Sequence, residues 1–453
     1  MGAAETVVIL AAGQGTRMRS AVPKVLHPLC GRVMLAFVVD QALGLEADRI
    51  LIVVGTDSEP VRAALAGHPA ADRLEFVVQE EQRGTGHALQ CCWPRLEELL
   101  SGPARPGVPG VVVLYGDMPA LRAESLDRLC RAYGEHGASA ALLSARPDHP
   151  RGFGRILRAG GPEDRSGPLQ AIVEERDAAP EILAIDEVNL GLYAFSAESL
   201  RRYLPRLSTD NAQGELYLTD VVGLCAQDGG RVAAVVLEDA AEATGVNTLA
   251  HLAQARRVLQ ERILEEHLAA GVHIEDPDTT YIDHGVQIGA GTRVLPCTVI
   301  RSGVVIGEGC EVGPFTHLRT GTRLLDGAEV GNFTECKQAE IGAGTKAKHL
   351  SYLGNVTIGP GTNVGAGTIV ANYDGVAKHP TVIGERAFIG SNSALIAPVR
   401  IGADAIVGAG STVTADVSDG ELRLVRAEQR VKPGWADRFH DTMKKKKAAE
   451  KAK

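Results

Sequence analysis

The chain has 453 residues, a length that suggests two to four domains. Its formal charge of −9 gives no basic field for nucleic acid, and 45% apolar with 23% charged residues excludes wholesale disorder. No uninterrupted apolar run approaches the ~20 residues that a membrane span needs. We therefore expect a globular protein without nucleic-acid or membrane partners.

The start of the chain and the cysteine pattern predict a cytoplasmic protein. Met1 leads directly into the strand-like Thr6–Leu10, without the charged start and small-residue cleavage site of a signal peptide. The eight cysteines contain no C-x-x-C pair, so neither a zinc site nor a disulfide framework is suggested. We expect reduced thiols and a cytoplasmic location.

Short apolar runs alternate with amphipathic stretches over residues 1–246. Leu35–Leu45 and Ala123–Ala132 have helical spacing, and four runs read as buried strands: Val7–Leu10, Ile50–Val54, Leu74–Val78 and Val111–Leu114. Such βαβ units bind their ligands at the carboxyl ends of the strands. We expect an α/β Rossmann-like domain with a mixed, mostly parallel sheet.

Residues 247–271 are predicted to form a helix between two domains. Asn247 is a suitable N-cap and Gly271 follows the end of the helical pattern, which covers Thr248–Ala270. The apolar stripe of this helix consists of Leu249, Leu252, Ala253, Ala255, Val258, Leu259, Ile263 and Leu268.

The apolar period changes to six over residues 272–430. Aliphatic residues fall six apart at Ile288, Val294, Ile300, Ile306, Val312, Leu318, Leu324 and Val330. Of the 52 glycines, 23 lie between Gly285 and Gly410, where they turn the corners of the hexads. Three hexads form a coil of ~18 residues, so this region is predicted to be a left-handed parallel β-helix.

The hexad pattern breaks between Ile341 and Ile383, where residues 370–378 do not fit it. Irregular excursions from a regular scaffold often carry function. Residues 431–453 are assigned to a C-terminal tail, and its charged end from about Lys444 is expected to be solvated and disordered.

A glycine-containing turn follows the first predicted strand. Gly13 and Gly15 let the backbone approach a phosphate, and Arg17 and Lys24 supply two cations close behind. Neither the Walker A pattern nor G-x-G-x-x-G fits, which disfavours an ordinary P-loop ATPase or a dinucleotide enzyme. The turn is therefore a candidate triphosphate site.

Later motifs carry a resemblance to known enzymes. The turn, with Gln79, Gly84-Thr85-Gly86-His87, Tyr115-Gly116-Asp117 and Gly245-Val246-Asn247, resembles the nucleotide site of sugar-phosphate nucleotidylyltransferases. Residues 153–155, 172–174, 187–191 and 211–215 narrow the resemblance to the bacterial bifunctional UDP-N-acetylglucosamine pyrophosphorylase/glucosamine-1-phosphate N-acetyltransferase family. With the β-helix, the resemblance covers nearly the whole chain.

The resemblance implies a uridylyltransferase site in the first domain. Uridine and UDP-sugar contacts are expected from Leu10, Ala11, Ala12, Gly13, Gln79, Gly84, Thr85, Tyr115 and Gly116. Arg17 and Lys24 would neutralise phosphates in catalysis, and Asp117 with Asn247 would bind Mg²⁺. The N-acetylglucosamine moiety would contact Gly154, Glu174 and Asn189. Gln14 stands where the family commonly has lysine, so turnover is expected to be lower.

The β-helix carries motifs that resemble the acetyltransferase half of the same family, at residues 332–337, 348–354 and 372–375. The resemblance implies that His349 is the general base, a role suited to imidazole near neutral pH. Arg319 and Lys337 would bind the phosphate of glucosamine 1-phosphate, and Tyr352 and Asn363 would contact its sugar. Acetyl-CoA would contact Ala366, Asn372, Tyr373, Lys378, Ser391, Ala409 and Arg426.

The family resemblance also implies a homotrimer with acetyl-transfer sites between subunits. Two alternatives remain: a monofunctional nucleotidylyltransferase whose β-helix is only a scaffold, and a non-catalytic assembly protein. His349, Lys337 and Tyr352 argue against a mere scaffold, because a scaffold does not need them. The stretch from Gly271 to Arg319 is shorter than expected by roughly two ~18-residue coils, which leaves the coil number open.

Overall fold

The computed structural model describes residues 2–13 and 15–451. The prediction about Gln14 lies outside these residues. Packing divides the chain into two compact units. The first runs to Glu265 and includes Ile282–His284, and the second consists of Glu266–Tyr281 and the chain from Gly285 onwards.

The first unit contains a mixed nine-stranded sheet and a small hairpin. Its strands are β1 (Thr6–Leu10), β2 (Pro28–Leu29), β3 (Arg32–Val33), β4 (Arg49–Val54), β5 (Leu74–Val78), β6 (Val111–Tyr115), β7 (Ala140–Ala145), β8 (Arg155–Arg158), β9 (Leu169–Val173), β10 (Val188–Phe195) and β11 (Val232–Val236). Its α-helices, the last of which continues into the second unit, are α1 (Met34–Leu43), α2 (Glu59–Leu65), α3 (Thr85–Leu99), α4 (Ala123–Glu135), α5 (Pro180–Leu183), α6 (Ala197–Tyr203), α7 (Thr219–Gln227) and α8 (Leu249–Ala269).

The strand order β11-β7-β10-β6-β1-β4-β5 explains where ligands can bind. β1 is parallel to β4 and β6, whereas β10 runs antiparallel to β6 and β7. Side chains of β1 alternate between two apolar cores, Val7 and Ile9 in one and Val8 and Leu10 in the other. Both faces are covered, so the open edge at the carboxyl ends of β1 and β6 is available for ligands.

Helix α8 packs mainly as part of the first unit. Its buried residues include Leu252, Ala255, Leu259 and Ile263, and Arg262 Nη1 donates to the Ala120 carbonyl at 2.6 Å. The division between the units falls after Glu265, inside the predicted linker helix. The helix is therefore less of a free arm than its sequence suggests.

Short parallel strands form the second unit. In chain order, the strands after α8 are β12 (His273–Ile274), β13 (Tyr281–Ile282), β14 (Gln287–Ile288), β15 (Arg293–Val294), β16 (Val299–Ile300), β17 (Val305–Ile306), β18 (Glu311–Val312), β19 (His317–Leu318), β20 (Arg323–Leu324), β21 (Glu329–Asn332), β22 (Glu335–Ile341), β23 (Lys346–His349), β24 (Tyr352–Ile358), β25 (Asn363–Val364), β26 (Ile369–Ala371), β27 (Thr381–Ile383), β28 (Phe388–Ile389), β29 (Ala394–Ile396), β30 (Val399–Ile401), β31 (Ile406–Val407), β32 (Thr412–Val413) and β33 (Leu422–Arg423). Each strand pairs with its equivalent in the next coil, as in β15-β18-β21. This is the predicted left-handed β-helix.

The pairing register shows where the coils depart from the regular length of 18. Val305 lies opposite Arg323, 18 residues later, but Glu335 lies opposite Tyr352, only 17 residues later. Ile369 then lies opposite Ala394, 25 residues later. The predicted irregular region is thus two short coils followed by one coil with an inserted loop, and regular coils resume from Thr381.

The C-terminal segment differs from the expected disordered tail. Residues Trp435–Lys451 form helix α9, which has no buried residue. Gly434 precedes the helix. The alanines, lysines and glutamates of α9 are strong helix formers, so local propensity supports this helix although it packs no residue into a core. Among residues 2–13 and 15–451, no helix combines the length and the apolar character needed to cross a membrane.

Candidate active sites

A cavity of about 450 Å³ lies at the carboxyl ends of β1 and β6 in the first unit. It brings together most of the residues predicted for the nucleotide site. Its walls include Leu10, Ala11, Ala12, Gly13, Lys24, Gln79, Gly84, Thr85, Tyr115, Asp117, Gly154, Glu174, Asn189 and Asn247. Parallel strands that end at one edge bring these dispersed motifs together.

Two predicted residues lie outside the cavity lining. Gly116 lies behind the wall, where an added Cβ would sit 3.1 Å from a methyl carbon of Leu35 and 3.2 Å from Ala11. Its glycine is explained by this packing rather than by a ligand. Arg17 is exposed, and its Nη2 donates to Asn247 Oδ1 at 3.0 Å, so it lies beside the cavity mouth.

Oxygen ligands for a cation meet at Lys24. Its Nζ contacts Asp117 Oδ2 and lies 3.4 Å from Asn247 Oδ1, so both oxygens face one positive charge. Within the described residues, no group of three or more His, Cys, Asp or Glu side chains forms a metal cluster. A divalent ion here would therefore take two protein oxygens and complete its shell with phosphate and water, as Mg²⁺ accepts.

The opposite wall of the cavity carries a half-buried carboxylate and a buried amide. Burial raises the pKa of Glu174, whose Oε1 accepts a hydrogen bond from Thr219 Oγ1 at 3.3 Å. Asn189 is buried, and its Nδ2 donates to Tyr193 Oη at 2.7 Å. Fixed polar groups among apolar walls suit the recognition of a hydroxylated, amide-bearing sugar.

Gly191 has a steric reason to be glycine. Its φ is +77°, and an added Cβ would lie 2.3 Å from Cε2 of Tyr115, which also lines the cavity. Both the left-handed backbone and the close approach of the ring exclude a larger side chain. This contact fixes the Tyr115 ring as one wall of the site.

Two polar residues of this site received no role from the sequence. Gln82 Nε2 donates to the Ala12 carbonyl at 2.6 Å, and this hydrogen bond holds the backbone of the glycine-containing turn after β1. His87 lies behind Gln79, with Nδ1 3.2 Å from Gln79 Nε2. His87 belongs to the motif Gly84-Thr85-Gly86-His87, but its contact with Gln79 forms only when α3 packs beside β5.

In the second unit, three cations share one face of the β-helix. Lys378 and Arg319 lower the pKa of Lys337, while the Glu335 carboxylate raises it. Arg319 Nη1 donates to Glu335 Oε1 at 2.7 Å. Three cations beside one carboxylate leave excess positive charge, which suits a phosphate group.

Tyr352 belongs to this face, but Asn363 does not. Lys337 lies opposite Gly354, and an added Cβ on Gly354 would be 2.6 Å from Tyr352 Oη, so the ring lies close to the cations. Asn363 lies opposite Lys346 on the neighbouring face. Within one chain the structure therefore separates Asn363 from the other residues predicted to bind the sugar phosphate.

Four residues predicted for acetyl transfer form a column along one corner of the β-helix. They are the exposed His349 followed, in the next three coils, by Ala366, Ser391 and Ala409. Backbone bonds tie these coils: Gly367 N to Leu350 O at 3.0 Å, Asn392 N to Ala366 O at 2.8 Å and Gly410 N to Ser391 O at 2.8 Å. Arg426 Nη1 donates to Ala409 O at 3.1 Å. A histidine followed by small residues leaves room for a long, thin ligand.

The inserted loop positions the remaining predicted residues differently. Asn372 is buried, and its Nδ2 donates to Asn355 Oδ1 at 2.7 Å, so its side chain supports the coil. Tyr373 is 60% exposed, with Oη donating to Gly375 O at 2.6 Å. Of these three predicted residues, Tyr373 and Lys378 are exposed and Asn372 is not.

The comparisons with known proteins cover both units. Residues 7–217 match the MobA-like NTP transferase domain, and residues 380–415 match the bacterial transferase hexapeptide (six repeats). The complex of UDP-glucose pyrophosphorylase with UDP-glucose covers 58% of this chain and 100% of its own, with a TM-score of 0.45 and 16% identity.

Full-length relatives share one name, Bifunctional protein GlmU. The protein from Sphingopyxis alaskensis is 46% identical over 98% of both chains. Those from Trichlorobacter lovleyi and Thermobifida fusca are 42% and 40% identical, over 97% and 99% of this chain and 99% and 97% of theirs. The chain therefore belongs to the GlmU family of bifunctional enzymes, which combine a uridylyltransferase and an acetyltransferase in one polypeptide.

Proposed function

We propose that the two activities use separate residue sets, one in each unit. The first unit would uridylylate N-acetylglucosamine 1-phosphate with UTP in the cavity beside β1 and β6. The second would acetylate glucosamine 1-phosphate with acetyl-CoA along the column that begins at His349. The observation that carries this proposal is the distribution of the chemistry: the Lys24 ammonium and the oxygens of Asp117 and Asn247 line the cavity, and an exposed imidazole heads the column.

In the uridylyl transfer, the chain's own residues position and neutralise charge. A phosphate oxygen of the sugar phosphate attacks the α-phosphorus of UTP and pyrophosphate leaves, so no protein nucleophile is needed. Lys24 and Arg17 would hold the phosphates, and Asp117 with Asn247 would hold Mg²⁺. When bound, the ion neutralises charge on the triphosphate. The carboxylate and amide oxygens that meet at Lys24 support this assignment.

In the acetyl transfer, the ammonium of glucosamine 1-phosphate must lose a proton before its nitrogen attacks the thioester carbonyl. His349 would accept that proton, and the CoA thiol would leave as the amide bond forms. Arg319 and Lys337 would hold glucosamine 1-phosphate through its phosphate. Lys378, which the resemblance assigns to acetyl-CoA, would add its charge there because it lies beside Lys337. Three steps of the column, at ~4.8 Å each, span roughly 14 Å, a length that suits an extended pantetheine arm.

The assembly would be a homotrimer, which the surface of the second unit supports. Phe315, Phe333 and Leu350 are 52%, 60% and 59% exposed, and the two phenyl rings stack with centroids 5.1 Å apart. An apolar corner of this kind marks an interaction surface. A neighbouring copy could also bring its Asn363 to the face that carries Lys337. Sedimentation analysis tests this: Phe333→Glu should dissociate the assembly, and a monomeric wild-type protein would contradict it.

A metal assay tests the first site. Asp117→Ala should remove Mg²⁺-dependent pyrophosphate release and leave CoA release unchanged, whereas Asp72→Ala, at an exposed position in the same unit, should change neither. Retention of magnesium-dependent pyrophosphate release by the Asp117 variant would contradict the assignment.

A thiol assay tests the second site. His349→Ala should abolish CoA release, and His273→Ala, an exposed histidine at the start of the β-helix, should keep it. Full activity in the His349 variant would refute its role as the base. The cytoplasmic location stays a prediction.

A further inference from the structure

His87 contacts the side chain that is expected to recognise the nucleotide base. It lies in the first turn of α3, and Gln79 follows the end of β5 and lines the cavity. Gln79 Nε2 lies 3.1 Å from the Gly84 carbonyl oxygen and 3.2 Å from His87 Nδ1. The side-chain amide of Gln79 is therefore held by two neighbours on its nitrogen side.

These two contacts fix which end of the amide faces the ligand. The Gly84 carbonyl can only accept, so Gln79 must donate one amide hydrogen to it. The second hydrogen points to His87 Nδ1, which accepts it when the imidazole is neutral with its proton on Nε2. His87 Nε2 lies 3.8 Å from the Cys91 sulfur, a weak acceptor that suits that tautomer. With both hydrogens used, Gln79 presents its carbonyl oxygen to the cavity.

The neighbouring backbone completes a pattern. Among residues 2–13 and 15–451, we find no acceptor for the Gly84 N–H and no donor to Gln79 Oε1. The acceptor Gln79 Oε1 can pair with the N3–H of uracil, and the Gly84 N–H can donate to its O4. Cytosine has the opposite pattern at these positions, an N3 acceptor and an N4–H₂ donor. A site built to pair with one pattern rejects the other because its polar groups are left unpaired.

We propose that His87 is a positioning residue for base selection: it locks the Gln79 amide in the orientation that accepts uracil and rejects cytosine. Without the acceptor at Nδ1, the amide is free to rotate and present its NH₂ group, which suits the cytosine edge. This inference rests on the proposed placement of uridine at Gln79. His87 acts through Gln79 and does not contact the reacting phosphates.

The test compares kcat/KM for UTP and for CTP in two variants of similar size. His87→Leu removes the acceptor, whereas His87→Asn keeps one at the position of Nδ1. In the leucine variant we expect the UTP/CTP ratio to fall about tenfold or more, through a higher KM for UTP with kcat within about twofold. The asparagine variant should retain most of the wild-type ratio. Circular dichroism checks folding, and His87→Met replaces the leucine variant if that one does not fold.

Controls separate this inference from the uridine assignment itself. Cys91→Ala removes the contact on the other ring nitrogen and should leave the ratio unchanged. Gln79→Leu should lower the UTP/CTP ratio of kcat/KM as His87→Leu does. An unchanged ratio in Gln79→Leu would show that the base binds elsewhere and would overturn the uridine assignment. If Gln79→Leu loses discrimination while His87→Leu keeps it, or if His87→Asn loses as much as His87→Leu, the role of His87 is wrong.

Discussion

Replacing Gly191 with alanine tests how the sugar side of the first cavity is built. The new Cβ would lie 2.3 Å from Tyr115 Cε2, more than 1 Å inside ordinary contact, so the ring must move. Gly229 is a matched control, because its φ of +79° is close to the +77° of Gly191 and nothing lies within 4 Å of its added Cβ. The pair separates backbone strain from the steric clash.

The expected magnitudes follow from these two costs. A left-handed backbone costs a non-glycine residue about 1–2 kcal/mol, which is the whole loss expected for Gly229→Ala. Forcing a packed ring aside adds about 1–3 kcal/mol in Gly191→Ala. In a domain of this size each kcal/mol lowers the midpoint of thermal unfolding by roughly 2–4 °C. Gly191→Ala should therefore unfold several degrees below the control.

The same variant should change catalysis at one site only. Tyr115 lines the cavity, so its displaced ring should raise the KM for N-acetylglucosamine 1-phosphate, while acetyl transfer keeps its wild-type rate. Calorimetry and the two activity assays measure these effects. Equal melting points for the two glycine variants, with equal KM values, would refute the steric account.

Three further predictions concern buried or locally bonded charges. Arg158→Ala should cost about 1.5–3 kcal/mol in urea unfolding, because it removes the guanidinium 2.8 Å from the buried Glu187 carboxylate, which keeps Arg146 at 3.4 Å and the Ser144 hydroxyl at 2.8 Å; a loss under about 1 kcal/mol would contradict this. Cys336 should resist maleimide in the native protein, since burial raises the pKa of its thiol to about 12; rapid native labelling would contradict this. Backbone N–H groups and His379 lower the pKa of Asp374, so the stability that it gives the inserted loop is present at neutral pH and is lost as the pH falls below about 4. The protection of the Val376 amide against hydrogen exchange, relative to its intrinsic rate, should fall only there, and unchanged protection would refute the link.

The fold follows from the sequence where a strong period specifies it. From Val294 to Val330 each hexad buries its aliphatic residue in the β-helix, and the strand Leu74–Val78 has the bounds that its apolar run predicts. Helix α9 was missed because charged runs read as solvated chain, although lysine and alanine favour a helix.

The sites follow from the sequence as sets of motifs, but their internal contacts do not. The support of Gln79 by His87 depends on how α3 packs beside β5, which a single sequence does not give. The same holds for Gly116, whose glycine serves the packing against Leu35. The 17- and 25-residue coils were visible only as a break in the hexads, because their lengths are set by the pairing of strands.

Mixing two inactivated variants tests most directly whether the two sites act independently. Asp117→Ala alone and His349→Ala alone should each fail to convert glucosamine 1-phosphate, acetyl-CoA and UTP into the UDP-sugar. Equal amounts of the two proteins in one tube should restore that conversion, because each supplies the step that the other lacks. Continued failure of the mixture, with both proteins folded, would contradict the assignment of one reaction to each unit.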